Sequence, residues 1–488
     1  MNYTEERALE WRVELRNSMK AKERTEIPRV HMPELDATYR SHSRKEEVNL
    51  GLTPEMALLE AKRCLDCAKP SCMAGCPVGI DIPTFVKKIE QGDFAGAAKT
   101  LKETSALPAV CGRVCPQEKQ CEELCVHLKM KKESVAIGHL ERFAADYERE
   151  SGNISIPEIA TPNGIKIATV GSGPAGLSFA GDMAKLGYEV TVFEALHEIG
   201  GVLKYGIPEF RLPNAIVDVE IENLRSMGVK FINNCIVGKT ISIDDLKDDG
   251  FKGIFVGSGA GLPKFMNIKG ENLVGVMSSN EYLTRVNLMD AGSEDSDTPV
   301  LKGKKVAIIG GGNTAMDSVR TAKRLGADRA MIVYRRSEEE MPARIEEVKH
   351  AKEEGIIFMT LRNPIEYIGN EQGRVTQMTL QVMKLGEPDE SGRRSPVEVP
   401  GETEIFEVDE VIVSVGVSPN PLIPQSVQGL EVTRWGTIVV NNETMQSKIP
   451  IIFAGGDIVR GGATVILAMG DGRRAAKSMD EWIKGNLK

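Results

Sequence analysis

The 488-residue sequence contains no uninterrupted apolar run of about 20 residues, the length a membrane-spanning helix needs. Its first 26 residues, MNYTEERALEWRVELRNSMKAKERTE, are charged and amphipathic without an apolar h-region, so no secretory signal is expected. There is no excess of positive charge. Lys plus Arg total 61 against 70 Asp plus Glu, a net charge of -9, which gives no reason to expect nucleic acid as a partner. Short-period repeats and low-complexity tracts are missing as well. The six histidines form no convincing catalytic constellation, and His139 and His197 read as surface or core residues. These absences lead to a globular, cytoplasmic protein, a compartment in which structural disulfides are rare. Its length suggests about three domains.

Cysteine is where the chain departs from the ordinary. Eight of the nine cysteines fall between residues 64 and 125, and only Cys235 lies outside. Cys64, Cys67, Cys72 and Cys76 form C-x2-C-x4-C-x3-C-P; Cys111, Cys115, Cys121 and Cys125 form C-x3-C-P-x4-C-x3-C. Such dense thiol runs, with Pro after one cysteine, suit iron-sulfur ligation, whereas zinc sites usually separate two C-x2-C pairs by a longer spacer. Two 4Fe-4S clusters are expected. The Cys-Pro cysteine of one run can ligate the other cluster, so contiguous allocation is not the default. One crossed arrangement gives Cys64, Cys67, Cys72 and Cys125 to the first cluster. It leaves Cys76, Cys115, Cys121 and one further ligand for the second, with Cys111 spare. Cys235, in FINNCIVG, reads as a buried strand thiol.

Residues 1 to 160 read as helices and loops. Thr53 before Pro54 makes a cap and first-turn pair, and DIPTFVKKIEQGDFAGAAKTL has helical periodicity. From GIKIATVG (164–171) onward, β-branched apolar runs alternate with helical stretches, the pattern of parallel α/β domains. A second start follows the polar stretch DAGSEDSDTPVLK, which reads as a linker or surface loop.

Two βαβ units carry glycine-rich turns. In the first, KIATV leads into GSGPAG (Gly171, Gly173, Pro174, Ala175, Gly176), then a helix, then a strand ending at Glu194. With 48 glycines in 488 residues, a bare G-x-G-x-x-G arises by chance about half a time. The flanking strand, helix and distal acid give the motif its weight: glycines let the backbone approach a pyrophosphate at a helix N-terminus, and the carboxylate receives ribose hydroxyls. In the second, KKVAIIG leads into GGGNTA (Gly310, Gly312, Asn313, Thr314, Ala315) and a strand ending at Arg335 and Arg336. Two guanidinium groups there suit a 2′-phosphate, hence NADPH, while solvated strand-end arginines are the plain alternative. Two nucleotide folds in series imply FAD in the first and NADPH in the second. Near the C-terminus, IIFAGGD places Asp457 where it would bind ribityl hydroxyls, or serve only as a turn residue. The helix opened by Ala463, Thr464 and Val465 would point its dipole at a flavin.

Together these motifs resemble the small subunit of NADPH-dependent glutamate synthase and its relatives. The resemblance rests on both cysteine runs, GSGPAGL, GGVLKYGIPEFRLP, IFVGSGAG, GGGNTAMD, VYRRSEEEMPA, VSVGVSPNP and FAGGD. The stretches GAGLPKFMNIKGENLVGVMSSNEYLTRVNLM and ATVILAMGDGRRAA look most like the large subunit of NADH-dependent ferredoxin:NADP oxidoreductase, an electron-bifurcating relative. The resemblance implies a helical two-cluster iron-sulfur domain (1–160) and two Rossmann-like domains of disulfide-reductase type. These are an FAD domain in two parts (161–295 and 427–488) and an inserted NADPH domain (296–426). It implies FAD contacts from Gly201, Leu203, Gly206 and Gly259, and an NADPH contact from Gly416. It favours the crossed cluster sets and fills the vacant position with Glu141, which alone would read as an exposed helix carboxylate. The implied function is an NADPH-, FAD- and iron-sulfur-dependent oxidoreductase subunit. Its partner would be a second flavin and iron-sulfur chain, a glutamate synthase large subunit, or ferredoxin. Nothing here resembles a glutaminase. A scaffold with degenerate nucleotide sites is the alternative of another class, and the intact fingerprints oppose it. Disulfide reductases relay electrons through a cysteine pair, but only Cys235 follows residue 125, which leaves the clusters as the exit.

Overall fold

The computed structural model describes residues 3–486: a helical N-terminal unit, then two parallel sheets flanked by helices. Thr53 caps helix Pro54–Ala61, its hydroxyl accepting the Met56 N–H at 3.3 Å. The periodic run after Asp81 is broken into two helices, Ile82–Gln91 and Phe94–Thr104. Gly92 turns left-handed at φ +88°, and the Asp93 carboxylate accepts the Gly96 N–H at 2.8 Å to start the second helix. Phe85, Ile89 and Leu101 from this pair pack with Leu140 and Phe143 of helix Ile137–Ser151.

The first sheet contains β1 (Lys166–Val170), β2 (Glu189–Phe193), β3 (Lys230–Ile232) and β4 (Gly253–Val256). It is completed by β15 (Ile452–Ala454) in the order β15-β4-β1-β2-β3, all parallel. Between β4 and β15 the chain builds the second unit, so that unit is an insertion. Its parallel sheet comprises β6 (Val276–Ser278), β7 (Lys305–Ile309), β8 (Arg329–Tyr334), β9 (Ile357–Thr360) and β13 (Glu410–Val413), ordered β6-β13-β7-β8-β9. An antiparallel meander, β10 (Arg362–Gly369), β11 (Val375–Pro388) and β12 (Arg394–Glu407), extends from it. The two crossings between units pair with each other as β5 (Leu262–Pro263) and β14 (Val417–Ser418). Because β6 is hydrogen-bonded to β13, the second unit begins ahead of residue 296, the boundary expected from the linker-like sequence. A three-residue edge strand carries too little pattern to be read in advance. No helix among the described residues is long and apolar enough to cross a membrane.

Helices Pro174–Lys185 and Val465–Asn486 cross closely behind the first sheet. A Cβ at Gly472 would lie 2.4 Å from the Ala175 carbonyl oxygen and 2.9 Å from the Phe179 nitrogen, so only glycine fits the crossing. Phe179 stacks on Phe255 beneath it, ring centroids 4.4 Å apart.

Buried ion pairs fix the units relative to one another. Arg211 Nη1 donates to both carboxylate oxygens of Asp317 at 2.7 Å, and its Nε lies 3.0 Å from Glu347. Arg320, Arg324 and, from the N-terminal unit, Arg40 converge on Glu354. Arg344 donates to the Arg113 carbonyl at 2.6 Å and to Gln117 Oε1 at 3.1 Å, tying the second unit to the N-terminal unit.

Gly472→Ala is expected to destabilise the protein by about 1–3 kcal/mol, the usual range for overpacking, because backbone must move to admit the methyl. Thermal unfolding of the variant should show a lowered midpoint; an unchanged midpoint would contradict this crossing geometry.

Candidate functional site

The carboxyl ends of both sheets open into a single cleft of about 1700 Å³. Loops at such strand ends are where α/β folds bind nucleotides. On the first-sheet side it is lined by Gly171, Gly173, Pro174, Ala175, Glu194, Gly201, Gly206, Gly259, Asp457, Ala463, Thr464 and Val465. Gly176 and Leu203 do not line it. A Cβ at Gly176 would lie 2.0 Å from the Gly171 carbonyl oxygen, so this glycine lets the helix meet the turn, while Leu203 is wholly buried in the core. Gly171 itself has φ +95°.

Glu194, at the end of β2, is 6% exposed. Its carboxylate accepts the Ser172 N–H at 2.9 Å, the Ser172 hydroxyl at 2.6 Å and the Leu196 N–H at 2.9 Å. Ser172 Oγ in turn accepts the Gly200 N–H at 2.9 Å, so one acid ties the glycine-rich turn to the loop that follows β2. Burial raises the Asp457 carboxyl above its ordinary value, although a backbone hydrogen bond from Ala463 opposes this. Sequence reasoning missed Asp471. It is wholly buried, accepts the Gly456 N–H at 3.0 Å and is held by Arg460 at 2.6 and 2.7 Å, which stiffens the turn bearing Asp457. Thr464 Oγ1 accepts the Leu467 N–H at 3.3 Å, placing the positive end of helix Val465–Asn486 at the cleft.

On the second-sheet side, Gly310, Gly312, Asn313, Thr314, Arg335, Arg336 and Gly416 line the same cleft; Ala315 lies beneath, fully buried. Asn313 Oδ1 accepts the Arg344 N–H at 2.8 Å. The two strand-end arginines differ: Arg335 is exposed, whereas Arg336 is buried and ion-paired with Asp389.

Cysteines of the two runs lie close to one another: Cys125 is near Cys67 and Cys72, and Cys121 is near Cys76 and Cys72. Burial raises the Cys72 thiol, and nearby Cys64, Cys125 and Cys67 add like charge. Cys67 is likewise raised by burial and then by Cys125. Cys76 is pushed up to about 11 by burial, with Glu141 and Cys111 adding to it. Cys115 is raised through its hydrogen bond with Cys111, burial, and the charges of Cys111, Glu141 and Cys121. Cys121 is raised by burial, Glu122, Glu141, Cys76 and Cys72. Cys64, Cys67, Cys72 and Cys76 are half-buried, while Cys111, Cys115, Cys121 and Cys125 are buried. Glu141 is 6% exposed, its Oε1 has no hydrogen-bond partner among the described residues, and burial with help from Glu220 pushes it up to about 8. It is not the exposed helix carboxylate that its sequence alone suggests.

A single zinc ion about 2.3 Å from each sulfur brings any two ligands within roughly 4.6 Å of one another. Among the described residues no three cysteine sulfurs lie within 4.8 Å of each other, so the groups are too wide for one ion and suit a larger inorganic core. Val114, next to Cys115 in the chain, lines the cleft, although none of the eight clustered cysteines does. Cys235 follows β3 in a loop, half-buried and lining the cleft, rather than sitting buried in a strand; the strand stops at Ile232 before the Asn233-Asn234 turn.

Comparison with known proteins first defines the class. Residues 40–153 match the family described as dihydropyrimidine dehydrogenase domain II, 4Fe-4S cluster, and residues 165–472 match pyridine nucleotide-disulphide oxidoreductase. FprA from Mycobacterium tuberculosis, solved in complex with NADPH, has the same fold: TM-score 0.56 at 20% identity, covering 67% of this chain and 86% of that one. The protein is an oxidoreductase with an iron-sulfur domain joined to a flavin- and pyridine-nucleotide-binding fold. More particularly, it belongs to the glutamate synthase small-subunit family. It is 37% identical to the glutamate synthase [NADPH] small chain of Escherichia coli over 88% of this chain and 92% of that one. It is also 37% identical to the NADP(+)-dependent formate dehydrogenase subunit beta of Moorella thermoacetica, of which it spans 60%, with 85% of this chain covered. It is 36% identical to the putative oxidoreductase AegA of E. coli, of which it spans 67%, with 90% of this chain covered.

Glu194→Ala removes the acceptor for two backbone N–H groups and the Ser172 hydroxyl, and an unsatisfied buried donor costs about 1–3 kcal/mol. The variant should lose more flavin than wild type on desalting, measured by absorbance ratio; equal retention would remove Glu194 from the flavin site.

Proposed function

We propose that the chain exchanges hydride between NADP(H) and FAD and passes single electrons through two 4Fe-4S clusters to or from a separate partner. The observation that carries this reading is the single cleft: it joins both nucleotide loops and touches Val114 beside the cysteine cage. A bound flavin supplies the interchange between hydride and single electrons, while the protein sets position and potential. The first-sheet residues lining the cleft, Glu194 and Asp457 among them, would hold FAD. Gly310, Gly312, Asn313, Thr314 and Gly416 would hold NADPH, with strand-end arginine at its 2′-phosphate. Cys64, Cys67, Cys72 and Cys125 would hold one cluster. Cys76, Cys115, Cys121 and Glu141 would hold the other, and the unpartnered Glu141 oxygen supports its place as the eighth ligand. The second set contains Cys115, the chain neighbour of the cleft-lining Val114, so it would stand nearer the cleft than the first. No acid-base triad is required of the chain.

The two segments resembling ferredoxin:NADP oxidoreductase favour a bifurcating transhydrogenase subunit, working with a second flavin and iron-sulfur chain or ferredoxin. The electron-input subunit of glutamate synthase is the second reading, favoured by the 92% span of the E. coli small chain. Ligand cysteines kept reduced suit the cytoplasm.

Anaerobic purification followed by iron, acid-labile sulfide and flavin analysis should give about eight irons and one FAD per chain, as two 4Fe-4S clusters require; bound zinc would overturn the cluster assignment. Glu141→Ala should alter the electron paramagnetic resonance of one cluster only, and an unchanged spectrum would exclude it as a ligand.

A further inference from the structure

We infer that Arg393, at the tip of the β11–β12 hairpin, acts with Arg335 to recognise the 2′-phosphate of NADPH, and that Arg336 is chiefly the anchor that brings that tip into place. This rests on the NADPH reading above and changes which residues carry its specificity.

Five arginines gather where β8 ends and the meander begins: Arg335, Arg336, Arg362, Arg393 and Arg394. Three have carboxylate partners. Arg336 pairs with Asp389, Arg362 pairs bidentately with Glu404 at 2.7 Å, and Arg394 pairs with Glu339 at 2.9 Å and Glu340 at 2.6 Å. Arg335 and Arg393 have none among the described residues, and both line the cleft. Arg393 Nε donates to Ser391 Oγ at 2.9 Å, which steadies the side chain while its two terminal nitrogens remain available.

The hairpin tip is built to stay there. The Asp389 N–H donates to the Arg393 carbonyl at 2.8 Å, and Asp389 Oδ1 accepts the Ser391 N–H at 2.9 Å. The other oxygen of Asp389 meets the buried Arg336 guanidinium at the end of β8, so this one ion pair pins the tip over the strand end. A phosphate dianion arriving at that edge meets two unneutralised guanidinium forks, one from the strand end and one from the hairpin. Arg336 is already matched in charge. Charge-assisted, bidentate hydrogen bonding is the preferred way for arginine to bind phosphate. NADH has a hydroxyl at this position and gains nothing from either fork.

The test uses the holoenzyme and compares wild type with Arg335→Ala, Arg393→Ala, Arg393→Gln and Arg394→Ala. Calorimetric titration with 2′,5′-ADP and with 5′-AMP reads phosphate recognition directly, and KM for NADPH and NADH with ferricyanide as acceptor reads it in turnover. Charged hydrogen bonds of this kind make a difference of roughly 10- to 100-fold in affinity. Both Arg393 variants should weaken 2′,5′-ADP binding and raise the NADPH KM by that factor. Binding of 5′-AMP, the NADH KM and flavin content should stay at wild-type values, and Arg394→Ala should change nothing. If wild type binds the two nucleotides equally, the NADPH reading itself fails. If wild type discriminates and Arg335→Ala loses discrimination while both Arg393 variants keep it, that reading stands and the role of Arg393 is refuted. A loss in Arg394→Ala equal to that in Arg393→Ala would also refute it, since it would mean a diffuse field rather than a contact.

Discussion

The helical unit is organised around a charge problem. Glu141 is buried without a cation beside it, and the thiols of Cys76, Cys115 and Cys121 crowd the same volume. Burying an ionised carboxylate or thiolate in a low-dielectric interior costs several kcal/mol per group, so without a positive centre these side chains stay protonated. A cationic iron-sulfur core reverses that preference, because it takes deprotonated ligands and makes their charge favourable. The rest of the unit is consistent with such a core: many of its helices are a single turn or two, and apart from Cys111, mid-way along Pro108–Val114, the clustered cysteines sit in these short turns, at helix ends or in the loops between them.

The remainder of the molecule holds a nucleotide cleft against this cage. Helix Pro108–Val114 carries Cys111, ends just before Cys115 and presents Val114 to the cleft. The same helix gives its Arg113 carbonyl to Arg344 of the inserted unit and its Ala109 N–H to Glu220 of the first nucleotide unit at 2.8 Å. Arg211 bridges the two nucleotide units through Asp317 and Glu347. Breaking a buried pair of this kind leaves an uncompensated charge, so relative movement of the units would cost several such contacts at once.

Much of this was legible in the sequence, and the limits have physical causes. Strand, glycine turn, helix and distal acid lie within one short segment, so each nucleotide fold could be read locally. The cysteine spacing pointed to iron-sulfur ligation, but the approach of Cys125 to Cys67 and Cys72, and of Cys121 to Cys76 and Cys72, is a property of the tertiary fold. The resemblance brought Glu141 forward; its lack of a partner became visible only in three dimensions. Ion pairs such as Arg211 with Asp317 or Arg40 with Glu354 join residues far apart in the chain and leave no periodic trace. The arginine doublet looked symmetrical in sequence, yet a hairpin more than fifty residues onward neutralises one member through Asp389. Asp471 went unread because its role, accepting the Gly456 N–H across the turn, joins two segments that carry no shared sequence pattern.

The crossed division of the cysteines is the centre of this account, and ligand replacement followed by electron paramagnetic resonance tests it most directly. Cys64→Ser, Cys125→Ser and Cys115→Ser would each be reduced anaerobically with dithionite and their cluster spectra compared with wild type. The expected result is that Cys64→Ser and Cys125→Ser perturb the same signal while Cys115→Ser perturbs the other. If Cys125→Ser instead perturbs the signal affected by Cys115→Ser and leaves that of Cys64→Ser intact, each run holds its own cluster and the crossed arrangement is wrong.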